Sequence, residues 1–376
     1  MSRTQFSRDD VLAALRTVKD PELRQDLVTL NMVRDIAIAD SGDVEVTIDL
    51  TTPGCPLKAQ IRGDIIAAVA AVAPASEVTV SFGVMSQKQK DALRDQLRGG
   101  RAYRDPGLAI PDTCRVIAVS SGKGGVGKST VTANLAAAMA ARGHEVGLVD
   151  ADVYGYSIPQ MLGIHQRPVS LDNMIVPPVN HGVRLMSIGF FLDEDEPVMW
   201  RGPMLHRAIQ QFLGDVHWGE IEYLFVDMPP GTGDIAISLA QLLPRAEVLV
   251  VTTPQVAAQV VARRAAMMAE RLDQRLIGVV ENMAAPAGVD PEASVFGSGG
   301  GDVLATQVGA PLLGSVPLDI DVREGGDTGT PSVLGGGDAA HAFDGLAAAI
   351  ESIPAPRIPA PVVAGADRIK KSLTVL

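Results

Sequence analysis

The sequence predicts an α/β protein with a mostly parallel sheet flanked by helices, preceded by a small α+β domain. From residue 115 onward, short and nearly continuous apolar runs alternate with helical patterns, which is typical of strands buried on both faces of a parallel sheet. The 376 residues exceed the usual length of a single domain. The composition, 47% hydrophobic and 20% charged, allows sizeable apolar cores and excludes a mostly disordered chain.

Residues 1–97 are predicted to form the small domain. Ser7 can cap a helix, because Asp10 follows three residues later. Apolar and polar residues alternate over Val44–Leu50 and again over 78–82, as in half-buried strands. Between these strands, apolar residues recur at helical spacing and predict a second helix; they are Leu57, Ile61, Ile65, Val69 and Val72.

Residues 114–352 are predicted to form the larger domain, after a linker over 98–113 that lacks any periodicity. Residues 353–376 begin with a Pro- and Ala-rich stretch and are predicted to be a loose tail. The predicted strands of the larger domain are Val116–Val119, Val146–Val149, Leu185–Ile188, Leu224–Val226, Val248–Val251, Leu276–Val280 and Leu312–Val316. The predicted helices between them include 128–142, 204–213, 234–243 and 255–272.

Charge and cysteine content exclude several classes of protein. The formal charge of −12 argues against a nucleic-acid surface. Neither a signal peptide nor a run long enough to span a membrane is recognisable, so we expect a cytoplasmic protein without stable membrane association. Two cysteines are too few for a disulfide framework, a four-cysteine zinc site or a ferredoxin-type cluster within one chain.

A phosphate-binding loop follows the first predicted strand of the larger domain. The string GKGGVGKS fits the Walker A pattern G-x-x-x-x-G-K-[ST] and leads into a helical pattern. Glycines let backbone N–H groups curl around phosphate oxygens, the lysine supplies a compact charge, and the serine hydroxyl coordinates Mg²⁺. We therefore expect ATP and Mg²⁺ as ligands. The predicted nucleotide-binding residues are Gly122, Gly124, Gly125, Val126, Gly127, Lys128, Ser129 and Thr130.

Lys123 distinguishes this loop from the general Walker pattern. Lys123 and Lys128 are the only lysines between residues 91 and 369, although arginine is frequent there. A forked guanidinium cannot act as the compact point charge that such a loop accommodates. KGGVGKST resembles the deviant Walker A ATPases, which include MinD, ParA and the Mrp-type cluster carriers. That resemblance implies that Lys123 reaches across a homodimer to the partner's nucleotide; the alternative is a solvated loop charge.

Three aspartates are expected at the carboxyl ends of strands, where an open parallel sheet binds its ligands. Asp150 and Asp152 follow the second predicted strand of the larger domain, and Asp227 ends another, like a Walker B aspartate. The resemblance implies that Asp150 and Asp227 organise Mg²⁺ and its waters, whereas Asp152 orients or activates the attacking water. Each aspartate, taken singly, could instead cap a helix.

Residues 115–350 resemble the Mrp-type branch, the iron–sulfur carriers, along nearly their whole length. The resemblance implies a homodimer that serves iron–sulfur apoproteins or assembly factors, and it assigns Asn282 to the adenine base. The N-terminal unit resembles the small SufT/PaaD-type domain through KDPEL (19–23), VTLNMV (28–33) and LTTPGCP (50–56). The strings that carry the Mrp resemblance are DADVYGYSIPQML (150–162), WRGPML (200–205), VDMPPGTGD (226–234), VTTPQ (251–255), ENM (281–283), FGSGGG (296–301) and VREGGDTGTP (322–331).

The sequence departs from the carriers at their cluster site. These proteins usually hold a C-x-x-C pair between the ENM string and the glycine-rich string, but residues 284–295 contain neither Cys nor His. Direct cluster binding by that route is therefore not inferred. Cys55 lies in a turn before a predicted helix and is interpreted either as a transient ligand or reactive thiol, or as a small packed hydrophobe. Cys114 precedes the first strand of the large sheet and is expected to be inert.

Two functions are compatible with these patterns. The first is a dimeric, Mg²⁺-dependent ATPase in iron–sulfur cluster assembly or transfer, with a labile cluster on Cys55 as an open question. The second is an ATP-dependent dimerisation switch that recruits a partner protein or surface, as positioning ATPases do. A reductase of the iron-protein type is disfavoured, because the ATPase domain lacks a cysteine pair.

Overall fold

The computed structural model describes residues 6–51, 57–97, 110–153, 155–171, 174–192 and 202–356. Within these residues the chain forms a three-stranded sheet, an eight-stranded sheet and a two-stranded hairpin. The eight-stranded sheet is parallel except for one edge strand, and helices pack on both of its faces. The predicted fold class is confirmed.

The small N-terminal unit combines an antiparallel strand pair with a parallel βαβ crossover. Strand β1 runs antiparallel to β2, and β2 runs parallel to β3 after the crossover helix α2. Ser7 caps α1 as predicted, since its hydroxyl accepts the Asp10 N–H at 3.2 Å and its own N–H donates to the Asp10 carboxylate at 2.7 Å. The elements are α1 (Arg8–Leu15), β1 (Val33–Ile38), β2 (Val44–Leu50), α2 (Lys58–Val72), β3 (Val78–Val84) and α3 (Gln87–Leu97).

Strand β1 and helix α3 are not predicted from the sequence. Only Ile36 of β1 is fully buried, so the strand shows no clean alternation of apolar and polar residues. Helix α3 is mostly polar, and Leu93 is its only buried residue. Each element buries one side chain, and a single buried residue produces no recurring apolar pattern in the sequence.

The larger unit is built on the eight-stranded sheet, whose strand order is β13-β12-β11-β4-β10-β5-β9-β8. Its strands, with the hairpin β6–β7, are β4 (Arg115–Ser121), β5 (Val146–Asp150), β6 (Val169–Leu171), β7 (Met174–Val176), β8 (Val179–Asn180), β9 (Val183–Ser187), β10 (Tyr223–Asp227), β11 (Glu247–Thr252), β12 (Leu276–Ala284) and β13 (Leu312–Pro317). Its helices are α4 (Lys128–Ala141), α5 (Ile158–Met161), α6 (Gly202–Gly214), α7 (Asp234–Leu242), α8 (Val256–Arg271), α9 (Gly300–Val308), α10 (Ile320–Thr328) and α11 (Asp338–Ser352).

Two apolar cores cover the two faces of the large sheet. Helices α4 and α11 bury one face, and helices α6, α7 and α8 bury the other. The central strands are buried throughout; all five residues of β5, for example, are buried. Each predicted strand of this domain overlaps an observed one, because a strand buried on both faces shows as an uninterrupted apolar run.

The strand register aligns polar residues at the carboxyl edge of the sheet. Asp227 on β10 pairs with Asp150 on β5, and Asp150 pairs with Ser187 on β9. On its other side, Asp227 is level with Val119 of β4, which leads directly into the phosphate loop. The register therefore places two carboxylates and one hydroxyl in a single row beside that loop.

The hairpin β6–β7 of the larger unit contributes to the core of the small domain. Leu171, Met174 and Val176 are almost fully buried and belong to the same apolar cluster as the N-terminal core. Ile175 anchors the hairpin to its own unit, since its N–H donates to the Asp215 carbonyl at 2.9 Å. The two units thus share part of one core.

The ends of the larger unit are attached to its sheet. Arg115 donates to the Ile353 carbonyl at 3.0 Å, and Arg275 donates to the Pro354 carbonyl at 2.7 Å. Ile110, within the predicted linker, packs against the core. The rest of the predicted linker (98–109) and tail (357–376) lies outside the described residues. Among the helices that the structure describes, none has the length and apolar character needed to cross a membrane.

We predict that Leu171→Ala, a change in the hairpin, destabilises the small domain by about 2–5 kcal/mol, because it leaves a cavity in a shared core. The free energy of unfolding from urea titration measures the loss, and hydrogen exchange of α1 and α2 locates it. The matched control is Leu334→Ala at a side chain that is 39% exposed, where we expect a change within about 0.5 kcal/mol. Unchanged exchange in α1 and α2 would contradict the shared core.

Candidate functional site

The glycine-rich loop connects β4 to α4, so strand, loop and helix follow one another as predicted. Gly125 and Gly127 have φ values of +80° and +79°, a conformation that side chains other than glycine rarely adopt. Gly127 directly precedes Lys128, the first residue of α4. The loop therefore presents its backbone at a helix N-terminus, where N–H groups lack partners within the helix and attract anions.

The predicted loop residues differ in exposure. Gly122 and Val126 are buried, and Gly127, Ser129 and Thr130 are half-buried. Gly124 and Gly125 are exposed, and a Cβ atom added to either would meet no atom within 4 Å. Lys123 is exposed and pairs with no acidic group in the described part of the chain; its carbonyl accepts the Ser121 hydroxyl at 3.1 Å.

Lys128 carries a buried charge that acidic residues compensate. Its Nζ atom lies 2.7 Å from Oδ2 of Asp227 and 3.8 Å from Oδ2 of Asp152. The Ser129 hydroxyl donates to the same Asp227 oxygen at 2.6 Å. Lys128, Asp152 and Asp227 are all at least nine-tenths buried, and a buried charge is tolerated only where it is paired in this way.

Asp150 is fully buried beside these groups. Burial, and then the neighbouring Asp227 carboxylate, raise the pKa of Asp150 well above its usual range, although Lys128 acts in the opposite direction. The Ser187 hydroxyl donates to Asp150 at 3.0 Å, and the Asp152 N–H donates to it at 3.3 Å. The structure thus brings together all three aspartates that the sequence singled out, on the side of the loop where Lys128 begins its helix.

Asn282 lies on the opposite side of the loop. It is buried in β12, two residues before the strand ends, and its side-chain amide donates to the Val126 carbonyl at 2.9 Å. A Cβ atom at Gly127 would lie 2.1 Å from Nδ2 of Asn282, so only glycine fits there. Asn282 is thereby placed against the last turn of the phosphate loop.

Two polar residues of the site, and a third on the helix that follows the loop, are absent from the sequence prediction. Ser187 bonds Asp150 from the end of a predicted strand, and Thr132 lies 2.8 Å from Oδ1 of Asp227, one helical turn after Lys128. Asn134 accepts bonds from the Ser332 hydroxyl and the Val333 N–H, both at 3.0 Å. Spacing gives a signal for Thr132 alone, since positions i and i+4 share a helix face. The other two contacts depend on tertiary structure.

The donor set of this site fits a magnesium nucleotide. Exposed loop glycines and a helix N-terminus suit phosphate oxygens, whereas the Ser129 hydroxyl and the carboxylates of Asp227 and Asp150 are oxygen ligands of the kind that Mg²⁺ prefers. The Lys128 ammonium lies 2.7 Å from Asp227, so a cation is already accommodated beside that carboxylate.

An iron–sulfur cluster has no comparable donor set among the described residues. Among them, no group of three or more His, Cys, Asp or Glu side chains is arranged to hold one metal ion, and the neighbouring aspartates of the phosphate site do not supply the thiolates that a cluster needs. Burial raises the pKa of the Cys114 thiol to about 12, which leaves it protonated and a poor ligand. The loop over 284–295, without Cys or His, is largely exposed. Cys55 lies outside the described residues, so its two interpretations stay predictions.

A phosphate loop on a parallel sheet, with acidic residues at the adjoining strand ends, defines a P-loop nucleoside triphosphatase. Residues 112–351 match the family described as NUBPL iron-transfer P-loop NTPase, and residues 8–82 match the family described as iron–sulfur cluster assembly protein. The chain is 52% identical to the iron–sulfur cluster carrier protein of Mycobacterium bovis, over 88% of this chain and 90% of that protein. It is 45% identical to the protein of the same name from Synechocystis, over 90% and 94% of the two chains.

A solved relative is the nucleotide-binding protein from Archaeoglobus fulgidus in complex with ADP. It is 35% identical, covers 60% of this chain and 90% of its own, and superposes with a TM-score of 0.52. The protein therefore belongs to the iron–sulfur cluster carrier family of P-loop NTPases, with an N-terminal iron–sulfur assembly domain, as the resemblance implied.

We predict that Cys114 of the native protein resists alkylation by iodoacetamide at pH 8, because its raised pKa and its burial keep it protonated and inaccessible. Peptide mass spectrometry before and after denaturation in guanidinium chloride measures the difference, and the denatured protein serves as the control. Native labelling of Cys114 at the rate of an unfolded thiol would show that the site is open.

Proposed function

We propose that this protein is a homodimeric, Mg²⁺-dependent ATPase that acts in iron–sulfur cluster assembly or transfer to apoproteins. The observation that carries the proposal is the buried contact of Lys128 and Ser129 with Asp227, where the phosphate loop leads into α4. The names of the relatives supply the biological context. A net charge of −12 disfavours nucleic acid as a partner, and cytoplasmic location suits this role.

The phosphate loop would bind the triphosphate through backbone N–H groups of residues 122–130. Lys128 would exchange its contact with Asp227 for the β- and γ-phosphates. Ser129, Asp150 and Asp227 would hold Mg²⁺ and its waters, and the metal would neutralise charge on the phosphates. Asp152, beside Lys128, would orient the attacking water toward the γ-phosphate.

Lys123 and Asn282 would add two further contacts to bound nucleotide, Lys123 in the partner subunit's site and Asn282 in its own. The exposed Lys123 side chain is free to reach a nucleotide in a second subunit, which supports a homodimer with two shared sites. Asn282 would contact the adenine base beside its bond to Val126.

The iron–sulfur cluster would be cargo rather than a resident cofactor. Because the described residues offer no ligand set for it, transfer would depend on Cys55 together with ligands from clients or assembly factors, or on partners that hold the cluster themselves. The alternative, a dimerisation switch that recruits another protein or surface, uses the same ATPase cycle. The relatives favour the iron–sulfur role over it.

We predict that Lys128→Ala abolishes nucleotide binding or turnover, whereas Lys123→Ala spares nucleotide binding and lowers hydrolysis and ATP-dependent dimer formation. The reason is that Lys128 acts within its own loop and Lys123 acts in the partner's site. Phosphate release, titration with a fluorescent ADP analogue and light scattering measure the three properties. Unchanged hydrolysis in Lys123→Ala would refute the cross-dimer role.

We predict that anaerobic reconstitution with iron and sulfide loads at most a labile cluster, and that Cys55→Ser removes it. Iron and sulfide analysis with a visible-range spectrum measures loading, and Cys114→Ser is the matched control expected to load like the wild type. Loading that Cys55→Ser leaves unchanged would exclude Cys55 as a ligand. Absence of iron from the wild type would favour a role through partners.

A further inference from the structure

Glu281 is a buried carboxylate to which the proposed mechanism assigns no role. It lies within β12, directly before Asn282, and is 1% exposed. Its oxygens accept the Gly301 N–H at 2.9 Å, the Gly299 N–H at 3.3 Å and the Ser315 hydroxyl at 3.1 Å. The carboxylate thus binds the N-terminus of α9, where the helix dipole favours a negative charge.

Glycines let α9 pack tightly against its neighbours at this point. A Cβ atom at Gly301 would lie 2.7 Å from Cβ of Glu281, and one at Gly300 would lie 2.4 Å from the Pro254 carbonyl oxygen. The Gln259 side chain also donates to that carbonyl, at 2.7 Å. Glu281 is therefore joined through the start of α9 to the start of α8.

Helix α8 and Asn282 contact opposite ends of the phosphate loop. A Cβ atom at Gly122 would lie 2.1 Å from the Val261 carbonyl carbon of α8, so the first glycine of the loop rests on that helix backbone. Asn282 contacts the other end, at Val126 and Gly127. Glu281 is connected to both contacts. Asn282 is its neighbour in sequence, and α8 is reached through the start of α9, which Glu281 binds.

We propose that Glu281 is a positioning residue that holds the phosphate loop in its nucleotide-binding shape by fixing Asn282 and α9 relative to each other. This inference rests on the proposed function, because it concerns the affinity of the same nucleotide site. Within the described residues, the hydrogen bonds of Glu281 involve Gly299, Gly301 and Ser315 and none of the loop residues or aspartates, so we expect it to act on binding and to leave the chemical step to Lys128 and the aspartates.

The test is Glu281→Gln in the full-length protein. The variant keeps the shape of the side chain, but its amide group faces backbone N–H donors that require an acceptor. We expect the Kd for a fluorescent ADP analogue and the KM for MgATP to rise about tenfold, corresponding to about 1.4 kcal/mol, while kcat changes less than threefold.

Glu247→Gln is the matched control. Glu247 is equally buried at 1% exposure. It bonds Arg115 and Arg275 at the amino ends of the strands, opposite the phosphate loop. We expect this variant to lower Tm without changing the Kd or KM. If Glu281→Gln also lowers Tm and leaves both constants unchanged, its role is structural and the inference is wrong.

A double-mutant cycle with Asn282→Ala tests the route of the effect. If Glu281 acts through Asn282, the loss from Glu281→Gln shrinks in the Asn282→Ala background, whereas full additivity overturns that coupling. Should Glu281→Gln not fold, Ser315→Ala removes one of its hydrogen bonds, and we expect a smaller rise in the same Kd; no rise would overturn the inference. Wild-type protein that binds no nucleotide would refute the proposed function instead.

Discussion

The buried ammonium group of Lys128 is the interaction on which the architecture of this site depends. A single positive charge removed from water is costly unless carboxylates lie within a few ångströms of it. Asp227 and Asp152 meet that requirement; Asp227 is the last residue of β10, and Asp152 follows two residues after the end of β5. The parallel register of β10, β5 and β9 therefore determines the electrostatics of the phosphate loop, and two apolar cores keep that register in place.

Most of this arrangement could be predicted from the sequence, because it depends on local patterns. Strands buried on both faces appear as apolar runs, and the phosphate loop is recognisable from its glycines and lysine. Ser187 and Glu281 could not be predicted as parts of the site, since their partners come from other strands and helices. Strand β1 and helix α3 each bury a single side chain, and the hairpin β6–β7 has strands of only three residues. Such elements depend on tertiary contacts and leave little periodicity.

Family membership and residue chemistry lead to different expectations for the cargo. The chain belongs to a family of cluster carriers, yet residues 284–295 lack cysteine, and the thiol that the structure describes is buried and protonated. Membership in a family concerns fold and ancestry, whereas holding a cluster needs thiolates at defined positions. The described residues thus include those expected of a nucleotide site, but they provide no set of thiolates for a cluster.

The shared core constrains how this two-part protein can have evolved. Asp150 and Ser187 are joined by a hydrogen bond at the carboxyl ends of β5 and β9. Between them in sequence, Leu171, Met174 and Val176 contribute to the core of the small domain. A lineage that lost the small domain would expose three large apolar side chains, so the loss requires compensating polar changes in a hairpin about 70 residues away in sequence. Separating the two units at the linker would therefore require matching changes in this hairpin, so the fused chain is constrained by packing as well as by its connection.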